Sequence, residues 1–481
     1  MSTPPTLRRH LGLFQATALN VTWIVGAGVF AMIPQMVAKL PGPYALLGWL
    51  VAGVVMLCDG LVWSELGAAM PGSGGSYLYL LECFGRERWG RLMAFLFIWQ
   101  ILLSGPLEIA SGLIAMAEFS SAFSDGFRSF NEHYTISHMF FADSKVGVTF
   151  GPARVLAILA GCLILYLLHR RIEGLGRLTV TLWLGVLFVI GWLLFEGALR
   201  FDPAVAFAWT DSAGKTAEFS WNGLGSATRF AMYAYFGYYG ICYLGDEVRS
   251  PGRTIPRSIL LSAAIVAVLF IGLHVAMLGV VPWGSIPTKE AELDDFSLAA
   301  VFMRKIHGHW AVVLVTLCLI WSCFGSVFAG LLGYSRIPYG AARFGHFFAP
   351  FAKVHETLAI PHVSLWLVGL LSLAWSLFDL QTVIDALVTM RIIEQFIAQT
   401  IGVMLLRRLQ PDRPRPFRIW LYPVPCLLAL IGWGYMYASA GWLFIGLGLC
   451  TLLLGIVAFL IWSWRGRAWP FTPASTAGSV L

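Results

Sequence analysis

The chain has 481 residues, of which 58% are hydrophobic and only 12% are charged, and its mean hydropathy is +0.76. A water-soluble domain carries about 25% charged residues, so this composition excludes an ordinary soluble protein and indicates a polytopic membrane protein. The formal net charge of +7 suits a nucleic-acid partner, but the distribution of the basic residues gives that charge another explanation.

Apolar segments long enough to cross the roughly 30 Å hydrocarbon core of a bilayer recur about twelve times along the chain. Their approximate limits are residues 13–38, 45–70, 92–119, 153–168, 178–198, 223–243, 259–281, 310–332, 362–378, 383–406, 419–438 and 442–464. We therefore predict an all-α membrane protein. We expect only loops between the segments, and no cleavable signal peptide.

The basic residues predict the orientation of the chain. About two thirds of the 32 lysines and arginines, including every dense cluster, fall on the side that holds the amino terminus. By the positive-inside rule we expect both termini in the cytoplasm, with the chain in a plasma membrane of the bacterial inner-membrane type. The lipid bilayer is then the expected partner and nucleic acid is not, and the arginine-rich run 407–418 is predicted to anchor at the lipid surface.

Two glycines interrupt the first apolar segment near its midpoint, where residues 24–30 read IVGAGVF. Glycine costs about 1 kcal/mol relative to alanine inside a helix, so Gly26 and Gly28 favour a break. A break at membrane depth leaves peptide groups unpaired, which is tolerated only inside the protein or beside a cavity. The alternative is close helix packing, in which membrane glycines are common.

A matching stretch in the sixth segment, YAYFGYYG at residues 233–240, predicts a second break. With five segments per half, the second half enters from the opposite side, which predicts an inverted repeat. We divide the chain into tails 1–12 and 465–481, repeats 13–200 and 201–409, and two further helices in 410–464. Broken helices at matching positions of two such halves indicate the substrate site of a transporter.

Two facing breaks can hold both ends of a zwitterion, because a helix amino terminus attracts a carboxylate and free carbonyls suit an ammonium. An α-amino acid is the commonest solute of that shape. The groups expected to bind it are the N–H groups of Ala27, Gly28 and Val29 and the carbonyls of Ile24, Val25, Tyr233 and Phe236. The side chains expected to set specificity, or alternatively to pack in the core or against lipid, are Tyr233, Tyr235, Phe236 and Tyr239.

Four regions resemble the amino acid–polyamine–organocation (APC) superfamily, whose members have the leucine-transporter-type fold. The regions are residues 24–30; WSEL and PGSGGSY at 63–66 and 71–77; DEVRSP and RTIP at 246–251 and 253–256; and SCFGS and SRIPY at 322–326 and 335–339. The last of these is similar to the L-type amino acid transporter branch. The resemblance implies about twelve transmembrane helices, a 5+5 inverted repeat with broken helices 1 and 6, and secondary active transport of α-amino acids by alternating access, as a permease or an exchanger.

The resemblance also implies roles for individual residues. The substrate carboxylate would bind the backbone of residues 26–28, and the amine would bind the carbonyls of Ile24 and Phe236. Tyr233 would be an aromatic gate over the substrate. The full set of predicted substrate-binding residues is Ile24, Val25, Gly26, Ala27, Gly28, Glu108, Tyr233, Ala234, Phe236, Gly237 and Tyr239.

One departure from the superfamily concerns the coupling of substrate transport to protons. Many relatives have a lysine in the fifth helix that substitutes for a sodium ion and can couple transport to protons. Val186 is the best match to that position here, which puts proton coupling through such a lysine in doubt. Phe236 is also larger than the residue that some branches have there, which would narrow the pocket.

Charged residues within apolar segments cost about 3 kcal/mol at the membrane centre on insertion scales, so they usually face the protein interior. Glu108 is predicted to contact the substrate, carry a proton or bind a polar group. Arg391 and Glu394, three residues apart, are predicted to form an ion pair. Asp59 and His274 are predicted to have structural roles.

Charges of both signs at the predicted cytoplasmic end would form an inner gate. Glu65, Asp246 and Glu247 are predicted to belong to this gate. Arg253 and Arg257 are predicted to supply its positive charges beside Asp246 and Glu247. The alternative for these residues is a solvated helix end.

Other chemistries find little support in the sequence. The eight cysteines form no Cys-x-x-Cys motif, and none lies in a predicted outer loop, so we expect neither a metal site nor a disulfide-linked accessory subunit. No catalytic motif or cofactor site is apparent, and we expect no enzyme. The alternatives that stay open are a polyamine or organocation permease, with Glu108 binding ammonium groups, and an amino-acid receptor that does not transport.

Overall fold

The structure is a computed structural model, which describes residues 9, 11–26, 28–72, 74–139, 147–169, 175–211, 214–286, 297–355 and 360–471. These residues are mostly helical. Their α-helices are α1 (Leu13–Ile24), α2 (Gly28–Lys39), α3 (Ala45–Ala69), α4 (Ser76–Cys83), α5 (Trp89–Ser120), α6 (Asp125–Tyr134), α7 (Pro152–His169), α8 (Leu175–Leu199), α9 (Pro203–Ala206), α10 (Trp221–Tyr235), α11 (Pro251–Leu278), α12 (Leu298–His307), α13 (His309–Tyr334), α14 (Arg336–Arg343), α15 (His362–Trp375), α16 (Leu380–Arg391), α17 (Ala398–Leu409), α18 (Val424–Ala438) and α19 (Trp442–Arg465).

Eight helical stretches of the described residues are long and apolar enough to cross a bilayer, and α1 with α2 forms a ninth if the bent pair is one span. Helices α15 and α18 are shorter apolar helices. Every predicted apolar segment overlaps one of these stretches or α10. A polytopic membrane protein is confirmed, whereas the count of twelve spans and the 5+5 repeat stay predictions.

The helices that carry the two breaks lie inside the bundle. Helix α3 packs against α10, α11 and α18, and α5 packs against α13, α15 and α16. Between these layers α1 contacts α11 and α13, and α2 contacts α10. The broken segments are therefore surrounded by other helices, as peptide groups without helical partners require at membrane depth.

The outer surface of the bundle is apolar. Large aliphatic and aromatic side chains are exposed on α7, α8, α18 and α19, among them Leu159, Phe188, Ile431 and Leu453. Water-soluble proteins rarely expose contiguous apolar surface on this scale. This exterior therefore suits contact with lipid.

One part of the described chain is not helical. Strands β1 (Ile136–Met139) and β2 (Gly147–Phe150) form an antiparallel pair, so the all-α prediction is wrong here. The N–H of Thr149 donates to the carbonyl of Leu377 at 2.7 Å. This contact with a distant segment helps to hold β2, and local sequence patterns carry no signal of it.

Candidate functional site

The first break lies between α1 and α2. Helix α1 ends at Ile24, α2 begins at Gly28, and the two axes differ by 45°. The N–H of Val25 still donates to the carbonyl of Val21 at 2.9 Å, whereas the N–H of Gly26 turns back to the carbonyl of Ile24 at 3.0 Å. Because the first N–H groups of a helix have no partner within it, α2 presents donors at this break.

Some backbone groups predicted to bind a ligand have partners in this conformation. The carbonyl of Val25 accepts from Ser322 Oγ at 3.0 Å. The N–H of Gly26 and the carbonyl of Ile24 bind each other. Ala27 lies outside the described residues, so its role stays a prediction.

The second break follows α10, which ends at Tyr235. Gly237 has a φ of 110°, a conformation that favours glycine, and it takes the chain out of the helix. The predicted second half-helix is not an α-helix, because the next residues form 3₁₀ turns at Gly240–Tyr243 and Gly245–Glu247. A Cβ on Gly240 would lie 2.5 Å from the Trp23 ring, so this close approach requires glycine there.

The two breaks touch each other through their small residues. A Cβ on Gly28 would lie 2.8 Å from the Cα of Ala234, and one on Gly237 would lie 3.0 Å from the backbone nitrogen of Ile24. A Cβ on Gly26 would lie 2.6 Å from Ser326 Oγ. The glycines therefore permit close contact between the broken segments as well as the breaks themselves.

A small cavity of about 30 Å³ lies between the breaks. The N–H end of α2 and the carbonyl end of α10 both border it. We name it the central site, and the residues that line it are Trp23, Ile24, Gly26, Gly28, Glu108, Ser111, Gly112, Tyr233, Phe236 and Ser326. Six of these were predicted from the sequence. Trp23, Ser111, Gly112 and Ser326 were not.

Tyr233 and Phe236 border the central site, and Tyr239 lies next to it. The Tyr233 hydroxyl donates to Ser111 Oγ at 2.7 Å, which connects α10 to α5 across one side of the cavity. Tyr239 stacks on Trp63 with ring centroids 4.6 Å apart. A cluster of aromatic rings therefore extends from the central site to Trp63.

Glu108 lines the central site, and three donors hold its carboxylate. Its Oε1 accepts from Trp23 Nε1 at 3.0 Å, and its Oε2 accepts from the Tyr334 hydroxyl at 2.6 Å and from Arg391 Nη1. Arg391 is fully buried and also donates to Ser104 Oγ and to the Tyr239 hydroxyl, both at 3.2 Å. These bonds occupy both carboxylate oxygens of Glu108 and pair it with Arg391.

The predicted ion pair between Arg391 and Glu394 is wrong. Residues Ile392–Ile397 form a π-helical turn, so a residue three positions along is no longer one regular turn away. Arg391 pairs instead with Glu108, and Glu394 Oε2 is buried without a hydrogen-bond partner among the described residues. The sequence did carry a signal for the observed pair. Arg391 and Glu108 are charged residues in different apolar segments, and buried charges need partners.

Glu65 is buried at the end of the bundle that carries the arginine-rich loops, which we call the inner end. Arg407 Nε donates to its Oε1 at 2.8 Å, the N–H of Ile419 donates to its Oε2 at 2.7 Å, and Arg415 Nε lies 3.6 Å from Oε1. Arg413 pairs with Glu82 at 3.1 Å. The predicted lipid anchor 407–418 therefore supplies ion pairs within the protein.

The other predicted gate residues lie in a separate group. Asp246 and Glu247 are in the 3₁₀ turn after the second break, and Glu247 lies 3.9 Å from Arg336. The N–H of Leu11 donates to the carbonyl of Glu247 at 3.0 Å, so the start of the described chain is attached here. Glu247 therefore has Arg336 as its ion-pair partner, rather than Arg253 or Arg257 of the predicted gate.

Three buried polar residues support the breaks from outside the cavity. Asn20 donates to the carbonyl of Tyr238 at 2.8 Å and accepts from the N–H of Ile241 at 2.9 Å, which fixes α1 against the second break. Asp59 accepts from the Tyr238 hydroxyl, and His274 accepts from Trp49 Nε1 at 2.7 Å. These contacts of Asp59 and His274 fit their predicted structural roles. The role of Asn20 was not predicted, although a lone asparagine in an apolar segment is a recognisable signal.

The described residues contain no cluster of three or more histidine, cysteine or acidic side chains that could hold a metal ion. All eight cysteines lie within them and are unpaired. The site therefore consists of backbone dipoles, hydroxyl groups, aromatic rings and one neutralised ion pair.

The sequence matches the family model for amino acid permeases over residues 11–480. A branched-chain amino acid permease of Bacillus subtilis (strain 168) is 24% identical over 95% of this chain and 94% of its own length. The cystine/glutamate transporter of Homo sapiens is 26% identical over 96% of this chain and 87% of its own length. Cationic amino acid transporter 4 of Mus musculus is 29% identical over 85% of this chain and 62% of its own length.

Proposed function

This chain belongs to the amino acid permease family, and we propose that it carries α-amino acids across the plasma membrane as a secondary transporter that works by alternating access. Members of this family are transporters rather than enzymes. The observation that carries the proposal is the central site, where the N–H end of α2 and the carbonyl end of α10 face one cavity. These two ends complement the two charges of a zwitterion.

In the proposed complex, the substrate carboxylate binds the N–H groups of residues 26–29. The ammonium binds the carbonyls of Ile24 and Phe236. The carbonyl of Phe236 accepts no hydrogen bond from the residues that the structure describes, and the bond between Gly26 and Ile24 is exchanged for bonds to substrate. Tyr233 closes over the substrate, and Glu65, Asp246 and Glu247 belong to the inner closure.

The proposed architecture has twelve membrane helices with both termini in the cytoplasm. Residues 13–200 and 201–409 form two inverted repeats that begin with the broken helices, and 410–464 adds two more helices. The contact of Gly28 with Ala234 supports this arrangement, because it joins the corresponding breaks of the two halves. We propose that the chain works without a disulfide-linked accessory subunit.

The polyamine alternative has less support than amino acid transport. A polyamine permease needs open negative charge in the pocket, and Glu108 is already neutralised by Arg391. A substrate without a carboxylate also leaves the N–H groups of α2 unused. The receptor alternative differs from a transporter only in flux, so an uptake measurement separates the two.

The test is uptake of the twenty radiolabelled proteinogenic amino acids into liposomes that contain the pure protein. Each assay is run with and without unlabelled amino acid inside, and at two proton gradients. We expect saturable uptake of at least one amino acid. Uptake only into loaded liposomes identifies an exchanger, and uptake into empty liposomes identifies a permease. Saturable binding without flux would contradict the proposal and favour a receptor.

A further inference from the structure

A larger cavity, of about 260 Å³, lies at the opposite end of the bundle from the arginine-rich loops. We call this end the outer end and the cavity the outer cavity. Its walls combine apolar side chains with three charged residues, Glu118, Arg154 and Asp379. Its volume is close to the lower end of the range of small-molecule pockets, about 300–1,000 Å³, as suits a solute the size of an amino acid.

The outer cavity lies directly beyond the central site. Met32 lines it one helical turn after Gly28 on α2, and Phe230 lines it one turn before Tyr233 on α10. Glu118 is two turns beyond Ser111 on α5. The hydrogen bond between Tyr233 and Ser111 therefore lies between the two cavities.

Arg154 has hydrogen-bonding capacity left over at the outer cavity. Its side chain is buried, with only 7% of the residue exposed, and its Nη2 donates to Glu118 Oε1 at 3.1 Å. Its Nη1 has no hydrogen-bond partner among the described residues. A buried guanidinium with an unfilled donor suits a carboxylate ligand, since a hydrogen bond from Nη1 to a carboxylate oxygen is charge-assisted.

Asp379 has unfilled capacity of the opposite sign. Its Oδ1 caps α16 by accepting from the N–H of Thr382 at 2.8 Å, while its Oδ2 has no partner among the described residues. A carboxylate oxygen without a partner suits an ammonium group. Gln35 and Gln381 also line the cavity and add neutral hydrogen-bonding groups.

We propose that the outer cavity is a second amino-acid site, in which the substrate carboxylate binds Arg154 and the ammonium binds Asp379 before the Tyr233–Ser111 contact opens. This inference rests on the proposed function of the central site. Substrate then passes from the outer site to the central site when Tyr233 moves.

The test is equilibrium dialysis of the purified full-length protein in lipid nanodiscs with each of the twenty radiolabelled proteinogenic amino acids. We expect two molecules bound per chain for the amino acid with the highest affinity. Asp379→Asn keeps the helix cap, because asparagine is an equally good capping residue, but removes the charge. We expect it to weaken the outer site by about tenfold or more and to leave one molecule at the central site.

Two further variants keep the proposal falsifiable. Arg154→Lys retains the charge and the ion pair but loses the planar guanidinium, and we expect about fivefold weaker binding at the outer site alone. The matched control is Asp412→Asn, which makes the same chemical change at an exposed residue of the inner end and should bind two molecules.

The failures of the two proposals are distinguishable. One molecule per chain in the unaltered protein, with Asp379→Asn and Arg154→Lys both unchanged, would overturn the outer site and leave the central site intact. The absence of binding by all twenty amino acids would overturn the proposed function as well.

Discussion

The two ends of the helix bundle both contain buried carboxylate–guanidinium pairs, but they use them differently. At the inner end both oxygens of Glu65 are bound, by Arg407, Arg415 and the N–H of Ile419. At the outer end Arg154 and Asp379 line a cavity and each retains one polar atom without a partner among the described residues. Both oxygens of Glu65 therefore have partners at the inner end, whereas Arg154 and Asp379 at the outer end each keep one atom that a ligand could bind.

This difference separates structural charges from binding charges. A buried ion whose hydrogen-bonding capacity is filled holds helices together, and one that lines a cavity with capacity left over is costly until a ligand binds it there. By this criterion Glu108, with three donors, resembles Glu65 rather than Asp379. We therefore propose that Glu108 positions the central site by binding polar groups, the third of its predicted roles, rather than by contacting substrate or carrying a proton.

The strongest test of this distinction removes Arg391. Loss of one partner of a buried ion pair costs about 3–5 kcal/mol, so Arg391→Met should lower the free energy of unfolding by about that amount and abolish uptake. The double variant Arg391→Met/Glu108→Met removes both charges and should recover much of the stability. Thermal unfolding in detergent compares the stability of the two variants with that of the original protein. An Arg391→Met variant as stable as the original protein would contradict the structural role of the pair.

The next largest effect is expected where the two breaks contact each other, between the inner and outer ends. Gly28→Ala places a Cβ 2.8 Å from the Cα of Ala234. Overpacking costs about 1–3 kcal/mol, which corresponds to a loss of about 5- to 150-fold in substrate affinity if the substrate-bound state bears that cost. Gly191→Ala is the control, because a Cβ at Gly191 meets nothing within 4 Å. Equal uptake by the two variants would argue against contact between the breaks.

A third prediction weakens the inner closure. Arg407→Gln leaves Glu65 with Arg415 and the N–H of Ile419, and should raise the labelling rate of Cys83 by maleimide about tenfold, since local opening exposes the thiol. Burial raises the pKa of the Cys83 thiol to about 12. At neutral pH the thiol therefore reacts slowly while it is covered, because the thiolate is the reactive form.

That labelling experiment uses a background in which the other cysteines are replaced by alanine. Arg408→Gln is the matched control, because the neighbouring Arg408 is exposed. We expect it to label at the original rate. Identical labelling of both variants would show that the Glu65 pairs do not keep the inner end closed.

The smallest effect concerns the contact between the outer cavity and the central site. Tyr233→Phe removes the hydrogen bond to Ser111, which is worth about 0.5–1.5 kcal/mol, so KM for uptake should change by about 2- to 12-fold. Tyr437→Phe removes a buried hydroxyl that has no hydrogen-bond partner among the described residues, and should leave KM unchanged. A Tyr233→Phe variant with the original KM would exclude this bond as a gate.

Local patterns in the sequence predicted much of the fold. Apolar length located the helices, and the glycines at positions 26, 28 and 237 located both breaks, because glycine weakens a helix wherever it occurs. Local patterns did not reveal that a 3₁₀ turn follows the second break. That geometry depends on the packing of Gly240 against Trp23, a residue far away in sequence.

The charge pairs could not be predicted from the sequence for the same reason. Glu108 and Arg391 are 283 residues apart, and Glu65 and Arg407 are 342 apart. Helical periodicity relates only residues three or four positions apart, which is why Arg391 was paired with Glu394. The requirement that a buried charge has a partner was foreseeable, but the identity of the partner depends on the tertiary fold.

The central claim is that the two breaks hold the two ends of a zwitterion. The most direct measurement is uptake of the best-transported amino acid into proteoliposomes in competition with its methyl ester, its N-acetyl derivative and the unlabelled free form. The account predicts that only the free amino acid competes, because each derivative lacks one of the two charges. Equal competition by the methyl ester would contradict the account, since binding would then not need the carboxylate.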